Sequence, residues 1–335
     1  MSLAAAPAAA GPVAAKAANG PRPRIVRRPV HGVLLLDKPL GLSSNQALQR
    51  ARRLLSAEKA GHTGTLDPLA TGLLPLCFGA ATKFSQANLD ADKAYRATLC
   101  LGRRTTTGDA EGEVVEERPV QADDDAVRAA LARFTGPIEQ VPPMHSALKH
   151  QGRALYDYAR EGVEIERAPR RVTIHAIAWV AREGEHGERL VIDVRCSKGT
   201  YIRTLAEDIG QALGCGAHLA ALRRTASGAL SVDDALSLDA LEALGEGERA
   251  KRLLPPDRLV AHWPCVALPA ADAGPFLSGQ RRRLDQPDAP HVRVFGPDAH
   301  AFLGSAHITA GELIADRLLS PTEVQALCGG AGAAG

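Results

Sequence analysis

Apolar and polar positions along this chain switch repeatedly between a period near two and a period near 3.6, and the switches mark out elements. Residues 33–36 form a short apolar run that reads as a buried strand, closed by a turn at Asp37-Lys38-Pro39. Ala47, Leu48, Ala51, Leu54 and Leu55 then recur at helical spacing, and Ser43 or Ser44 can cap that helix. Residues 73–78 read as a second buried strand, 82–87 as a short helix, and 93–99 as an alternating, half-buried strand. An amphipathic helix is expected over 124–134, ending at Gly136-Pro137, followed by an extended arm over 142–149 and a helix over 153–160. Residues 172–180 and 189–196 read as strands, with Tyr201 and Arg203 on one face of a further strand segment. A helix over 204–213 follows, and Leu222 to Gly228 closes the unit. Residues 231–257 are polar and helical in pattern, and past a boundary near 258–265 the chain shows short strand-like pieces with glycine turns to residue 325.

Composition narrows the class. The chain has 335 residues, 45% hydrophobic and 23% charged, ordinary for a globular protein of about two domains. No apolar run is long enough for a membrane span. The formal charge of +2 hides an asymmetry. Residues 1–30 carry Lys16, Arg22, Arg24, Arg27 and Arg28 and no acid, so the remaining chain is net negative. Any nucleic-acid face on the body must therefore be a local patch. Residues 1–29 are Ala, Pro, Gly and Arg with little to bury and are expected to be a disordered basic tail rather than a transit peptide, because serine is scarce. Residues 327–335 read as a flexible Gly/Ala tail. The six cysteines form no C-x-x-C pair, which suits reduced thiols in a cytoplasmic protein and, with no metal-ligand spacing among the histidines, gives no zinc site.

One stretch stands out, Gly61 to Lys83, GHTGTLDPLATGLLPLCFGAATK. Asp67 is its single acid. Pro68 pushes Asp67 toward an extended conformation, glycines flank it, and the apolar run follows, so its carboxylate should stand at the tip of a braced loop. A lone Asp-Pro is ordinarily a turn that bonds its own backbone. Here the long uninterrupted motif, together with CSKGTYIRTLAEDIG at 196–210 and Leu222-Arg223-Arg224-Thr225, closely resembles the signature segments of TruB-type tRNA pseudouridine synthases.

The resemblance covers residues 31–260 strongly and the remainder loosely. It implies an α+β fold with a mixed, mainly antiparallel sheet over 30–257 and a small β-rich, PUA-like RNA-binding domain over 262–326. It also implies a monomer that converts the T-loop uridine at position 55 of tRNA to pseudouridine, recognising the T stem-loop, with no cofactor and no metal. Residue by residue, Asp67 matches the group that begins glycosidic cleavage, by attack on C1′ or on the base. Arg203 matches its partner, able to grip it bidentately. Tyr95 matches the ring that stacks on the uracil, and its phenol is the favoured base for the C5 proton. His62 matches the side chain that fills the space left by the flipped base. Tyr201 and Leu222 match pocket residues, and Asp109 a polar anchor beside the base. His145 stands where relatives often have tyrosine. A non-catalytic tRNA-binding or folding factor of the same fold is the alternative, disfavoured by the intact Asp67, Tyr95 and Arg203.

Overall fold

The computed structural model describes residues 26–331. Its frame is a ten-stranded sheet whose strands, in chain order, are β1 (Gly32–Lys38), β2 (Ala60–His62), β3 (Ala70–Phe78), β4 (Lys93–Leu101), β5 (Gly136–Gln140), β6 (Arg170–Glu183), β7 (Arg189–Cys196), β8 (Ala217–Ser227), β9 (Leu230–Ser231) and β10 (Leu236–Ser237). The spatial order is β10-β1-β3-β8-β4-β7-β6-β5, with β2 on β3 and β9 on β8. Pairing is antiparallel except between β1 and β10 and between β3 and β8. The fold is α+β, as the sequence leads one to expect.

The unbroken apolar runs of β1 and β3 have a cause: both of their faces are covered. Leu34, Leu36, Leu74 and Leu76 point toward helix α1 (Ser44–Leu54) and pack on Ala47, Leu48 and Ala51. The alternate residues Val33, Leu35, Leu73 and Cys77 face a different cluster that includes Phe84 and Phe302. Ser43 caps α1 in a capping box with Gln46, which leaves Ser44 free for another task.

A 3₁₀ turn (Gly79–Phe84) and helix α2 (Ser85–Leu89) lead to β4, and α3 (Asp124–Arg133) and α4 (Leu155–Arg160) follow. Helix α5 (Ile202–Ala212) lays Ile202, Leu205, Ala206 and Ile209 on the core formed by β4, β7 and β8. After α6 (Leu238–Ala243) and α7 (Glu246–Lys251) comes a five-stranded sheet of β11 (Cys265–Ala267), β12 (Arg282–Arg283), β13 (Ala289–Phe295), β14 (Phe302–Thr309) and β15 (Glu312–Leu318). Helices α8 (Ala270–Leu277) and α9 (Pro321–Ala331) complete this β-rich unit. Among the described residues no helix is long and apolar enough to cross a membrane.

Several expectations change. Gly136-Pro137 does not simply end a helix but opens β5, where a proline is tolerated because β5 lies at the sheet edge. Arg153 and Ala154 pair with Lys149 and His150, so the following helix starts at Leu155. Tyr201 and Arg203 do not share a strand: Gly199, at φ +78°, turns the chain, Tyr201 is the N-cap residue, and Arg203 lies in the first turn of α5. Residues 1–25 lie outside the described part, but Arg28 is docked, its N–H donating to Ser56 and its guanidinium meeting Glu246, so the disordered tail cannot run to residue 29. At the other end α9 takes in residues 327–331 of the expected tail, while 332–335 lie outside the described residues.

Candidate active site

Strand β8 inserts between β3 and β4, and this insertion builds the site. Its Leu222 lies opposite Ala70 on one side and Ala97 on the other, while Arg224 lies between Gly72 and Tyr95. The two motifs that stand far apart in sequence thus become adjacent strands. Leu222 and Arg224 are two apart on β8, Lys93 and Tyr95 two apart on β4, and all four line one cleft.

The loop carrying Asp67 is tied down on each side. The buried Ser44 hydroxyl accepts from the Leu66 N–H at 2.7 Å and donates to the Leu66 carbonyl at 3.0 Å. The Thr63 hydroxyl donates to Asn88 at 2.6 Å, and Asn88 in turn bonds Ser227 at the end of β8. Gly72, at φ +97°, passes so close to β8 that a Cβ there would sit 2.3 Å from the Arg224 carbonyl oxygen. Leu66 is buried, so the loop is anchored by an apolar foot just before the acid. The Asp67 side chain itself remains 46% exposed, at the cleft wall.

Arg203 is nearly buried and meets Asp67 with Nη2 at 3.0 Å. The expected two-pronged grip on Asp67 is not what the guanidinium forms. Nη1 instead faces Asp109 at 3.5 Å and the Thr107 carbonyl at 3.4 Å, while Nη2 also donates to the His145 carbonyl at 2.6 Å. Four acceptors share one cation, and its plane is set by the fold as much as by Asp67. Asp109 is buried, accepts from the Thr107 hydroxyl and the Glu111 N–H, and does not line the cleft. Its place is behind Arg203 rather than beside a bound base.

The cleft encloses about 410 Å³. Tyr95 and Leu222 stand on its floor, packed against the cores on both sides. Burial pushes the Tyr95 phenol above its ordinary pKa, and the neighbouring Arg224 charge works in the opposite direction. Tyr201 lines the cleft from the start of α5, its backbone held in both directions by the buried Gln140 of β5. Burial also raises the Tyr201 pKa. The arm over 141–150 folds across, placing Ser146, Ala147 and Leu148 on the rim. His62 is on β2 opposite Leu76 and does not line the cleft. Burial, with the charge of Arg224, lowers its pKa, so its ring is neutral at neutral pH.

Three lining residues escaped the sequence reading as site residues. Ser146 is buried, with its hydroxyl beside the Tyr201 phenol. Arg224 is 1% exposed, its Nε donating to the Leu73 carbonyl at 2.7 Å and its Nη2 to the Gly64 carbonyl at 3.1 Å. Lys93 is 7% exposed, with its ammonium among the carbonyls of Asn88, Leu89 and Ala91 at 2.6–3.0 Å. Burial brings its pKa down to about 8. Lys38, behind the loop, is wholly buried and lowered to about 8 by burial, against the upward pull of Asp67. Among the described residues no cluster of three or more His, Cys, Asp or Glu could hold a metal ion.

The model of the TruB family pseudouridylate synthase N-terminal domain matches residues 52–202, the tRNA pseudouridylate synthase B C-terminal domain matches 203–261, and the Pseudouridine synthase II TruB C-terminal model matches 264–319. The chain is 58% identical to tRNA pseudouridine synthase B of Verminephrobacter eiseniae, over 90% of this chain and 93% of that one. It is 59% identical to the Cupriavidus pinatubonensis protein of the same name, over 90% and 98%. Among solved structures, a chain of a Cbf5-Nop10-Gar1 complex superposes with a TM-score of 0.67 at 25% identity, over 88% of this chain and 86% of that one.

Proposed function

Because the chain belongs to the TruB family of pseudouridylate synthases, we propose that it isomerises uridine to pseudouridine in tRNA, acting on the T-loop uridine at position 55 and binding through the T stem-loop. The observation that carries this reading is Asp67: an exposed carboxylate on a braced loop, held by a nearly buried Arg203, facing a cleft floored by Tyr95 and Leu222. Such a cleft suits one base taken out of its stack. The much higher identity to proteins named tRNA pseudouridine synthase B than to the chain of the Cbf5-Nop10-Gar1 complex favours a tRNA substrate.

In this reading the uracil enters between Tyr95, which stacks on it, and Leu222, while Tyr201 packs against the nucleotide. Asp67 acts as its carboxylate, attacking C1′ or adding to the base, so that the N1–C1′ bond breaks. The uracil turns and C5 bonds to C1′, N1 takes up a proton, and the Asp67 carboxylate is released, from C1′ as C5 displaces it or from C6 as the C5 proton is lost. The C5 proton then leaves, with the Tyr95 phenolate as acceptor and Arg224 as the nearby cation that favours that ionised form. Arg203 keeps Asp67 aimed, and Asp109 keeps Arg203 in plane. His62, neutral, fills the space the base vacates. The isomerisation is atom-neutral and redox-neutral, and no cofactor enters it. The β-rich C-terminal unit, read as PUA-like, adds RNA contacts. The enzyme is read as a cytoplasmic monomer.

The test is tritium release from tRNA carrying C5-labelled uridine. Wild type should release it from bare tRNA. Asp67→Asn should release none while binding tRNA within several-fold, because the amide keeps size and shape contacts to the RNA persist. Release by the variant at near wild-type rate would refute Asp67 as the essential group.

A further inference from the structure

Two cations line the cleft, and the scheme above gives Lys93 no role and Arg224 only the support of the Tyr95 phenolate. Arg224 and Lys93 are buried, line the same cavity, and approach it from neighbouring strands. Apart from a hydrogen bond between Arg224 and the Tyr95 phenol, their hydrogen bonds go to backbone carbonyls, and no carboxylate among the described residues pairs with either. The acids near Lys93 are engaged elsewhere: Asp90 pairs with Lys198 at 2.8 Å and Asp92 with His175 at 3.0 Å. Asp67, the one acid in the cleft, is held by Arg203. Bracing backbone carbonyls would not by itself call for charge, since a neutral amide donor can do so without the large cost of burying an ion. The two cations also repel one another. A buried excess of positive charge, next to the ring on which the base is to stack, is arranged for negative charge that arises only during reaction.

We propose that Arg224 and Lys93 form a cationic floor that stabilises the negative charge developing on the uracil ring. This rests on the proposed isomerisation, and the electron balance requires such a charge on either route left open for Asp67. If Asp67 takes C1′, the N1–C1′ electron pair leaves with the uracil, spread over N1 and its carbonyl oxygens. If Asp67 adds to C6, the C5–C6 π pair moves onto C5 and the O4 carbonyl. On the first route C5 displaces Asp67 from C1′, and N1 takes up a proton as the C5 proton departs. On the second N1 takes up a proton as the N1–C1′ bond breaks, C5 bonds to C1′ with the enolate pair, and Asp67 leaves C6 as the C5 proton departs. In both cases the ring is an anion until C5 bonds to C1′. Fixed, preorganised charge in a site that excludes water acts strongly on such a species and little on the neutral ground state.

The experiment compares full-length wild type, Arg224→Met, Arg224→Lys and Lys93→Met on two tRNAs, one with uridine and one with 5-fluorouridine at the target site. The readout is single-turnover loss of the N-glycosidic nucleoside, measured by chromatography after nuclease digestion, alongside tRNA affinity and thermal melting. Fluorine withdraws electrons and stabilises the ring anion by itself. Arg224→Met should therefore slow uridine conversion by about 10²–10³-fold while slowing 5-fluorouridine loss by at least about tenfold less, with tRNA affinity within a few-fold. Arg224→Lys should recover most of the rate. Lys93→Met should show the same substrate dependence at smaller size, and carries the test if Arg224→Met does not fold. Equal losses on both tRNAs in the folded variants would overturn the inference and leave the two residues as structural ties. Wild type that converts neither tRNA would instead overturn the parent reading.

Discussion

At the scale of single residues the site depends on one shared guanidinium. Arg203 serves Asp67, Asp109 and two backbone carbonyls at once. A lysine has the charge but not the planar set of five donors. Arg203→Lys is therefore expected to lower the single-turnover rate by about 10²-fold or more with tRNA affinity nearly unchanged. Asp109→Asn should cost less, since it loosens the orientation of Arg203 without removing it; a fall larger than that of Arg203→Lys would contradict this order. Tyr95 separates two roles. Phenylalanine keeps a ring for stacking, worth roughly 1–3 kcal/mol per base, but removes the phenol. If the phenol takes the C5 proton, Tyr95→Phe should bind tRNA normally and lose about 10²–10⁴-fold in tritium release. If stacking is the whole role, only Tyr95→Leu should fail. Burial raises the phenol's pKa, so the base role depends on the nearby Arg224 charge, and single-turnover rates near normal for the phenylalanine variant would end it.

At the scale of elements, the insertion of β8 between β3 and β4 explains both what could be read from the sequence and what could not. Asp67, Arg203, Tyr201 and Leu222 lie in compact motifs whose residue order is distinctive, while Tyr95 lies on the alternating strand read over 93–99. Arg224 sits in the last of those motifs and Lys93 on the strand of Tyr95, but both follow ordinary strand alternation, and alternation does not say whether the polar face meets water or a cleft. Ser146 was hidden in an arm that has no periodicity. The pairing of Arg203 with Asp109 joins residues brought together only by tertiary packing. The helix start at Ile202 was missed because Tyr-x-Arg fits a strand as readily as a helix entry. Gly72 shows how tight the insertion is. Gly72→Ala would place a methyl 2.3 Å from the Arg224 carbonyl at a positive φ, and should destabilise by about 3 kcal/mol or more, read by denaturant unfolding. The buried lysines give a pH signature. Lys38 and Lys93 have folded pKa values near 8 against an ordinary 10.5. Between those values the unfolded chain binds more protons at these two sites, so their contribution to stability should rise with pH across roughly 8–10.5, opposed from about pH 9 by Cys77 and Cys196, which burial pushes up to about 12 and about 11. Lys38→Met should flatten that rise. The same slope in wild type and Lys38→Met across this window would mean that the Lys38 ammonium is not destabilised by burial.

At the scale of the whole molecule, the two sheets share a core. Phe302 of β14 packs on Phe84 at 5.0 Å and on Phe295 at 5.4 Å, within a cluster that also holds Val33, Leu35, Leu73 and Leu259. Lys83 reaches across to Glu323 at 2.6 Å and to the Leu318 carbonyl at 3.0 Å. The composition change near residues 258–265 suggested a boundary. It could not reveal this joint, since the partners are far apart in sequence and each looks like a residue of its own unit's core. The consequence is mechanical: the far face of β3, the strand that follows the Asp67 loop, is covered partly by the C-terminal unit. Phe302→Ala opens a cavity in that shared core and should cost about 3–5 kcal/mol. The two tryptophans allow the coupling to be followed, because Trp179 lies in β6 of the large sheet and Trp263 at the junction. In Trp179→Phe and Trp263→Phe backgrounds, which each leave one reporter, Phe302→Ala should shift both unfolding transitions down together. If the Trp263 signal alone moved and the Trp179 transition stayed at its wild-type position, the C-terminal unit would be folding independently, and the far face of β3 would not depend on it.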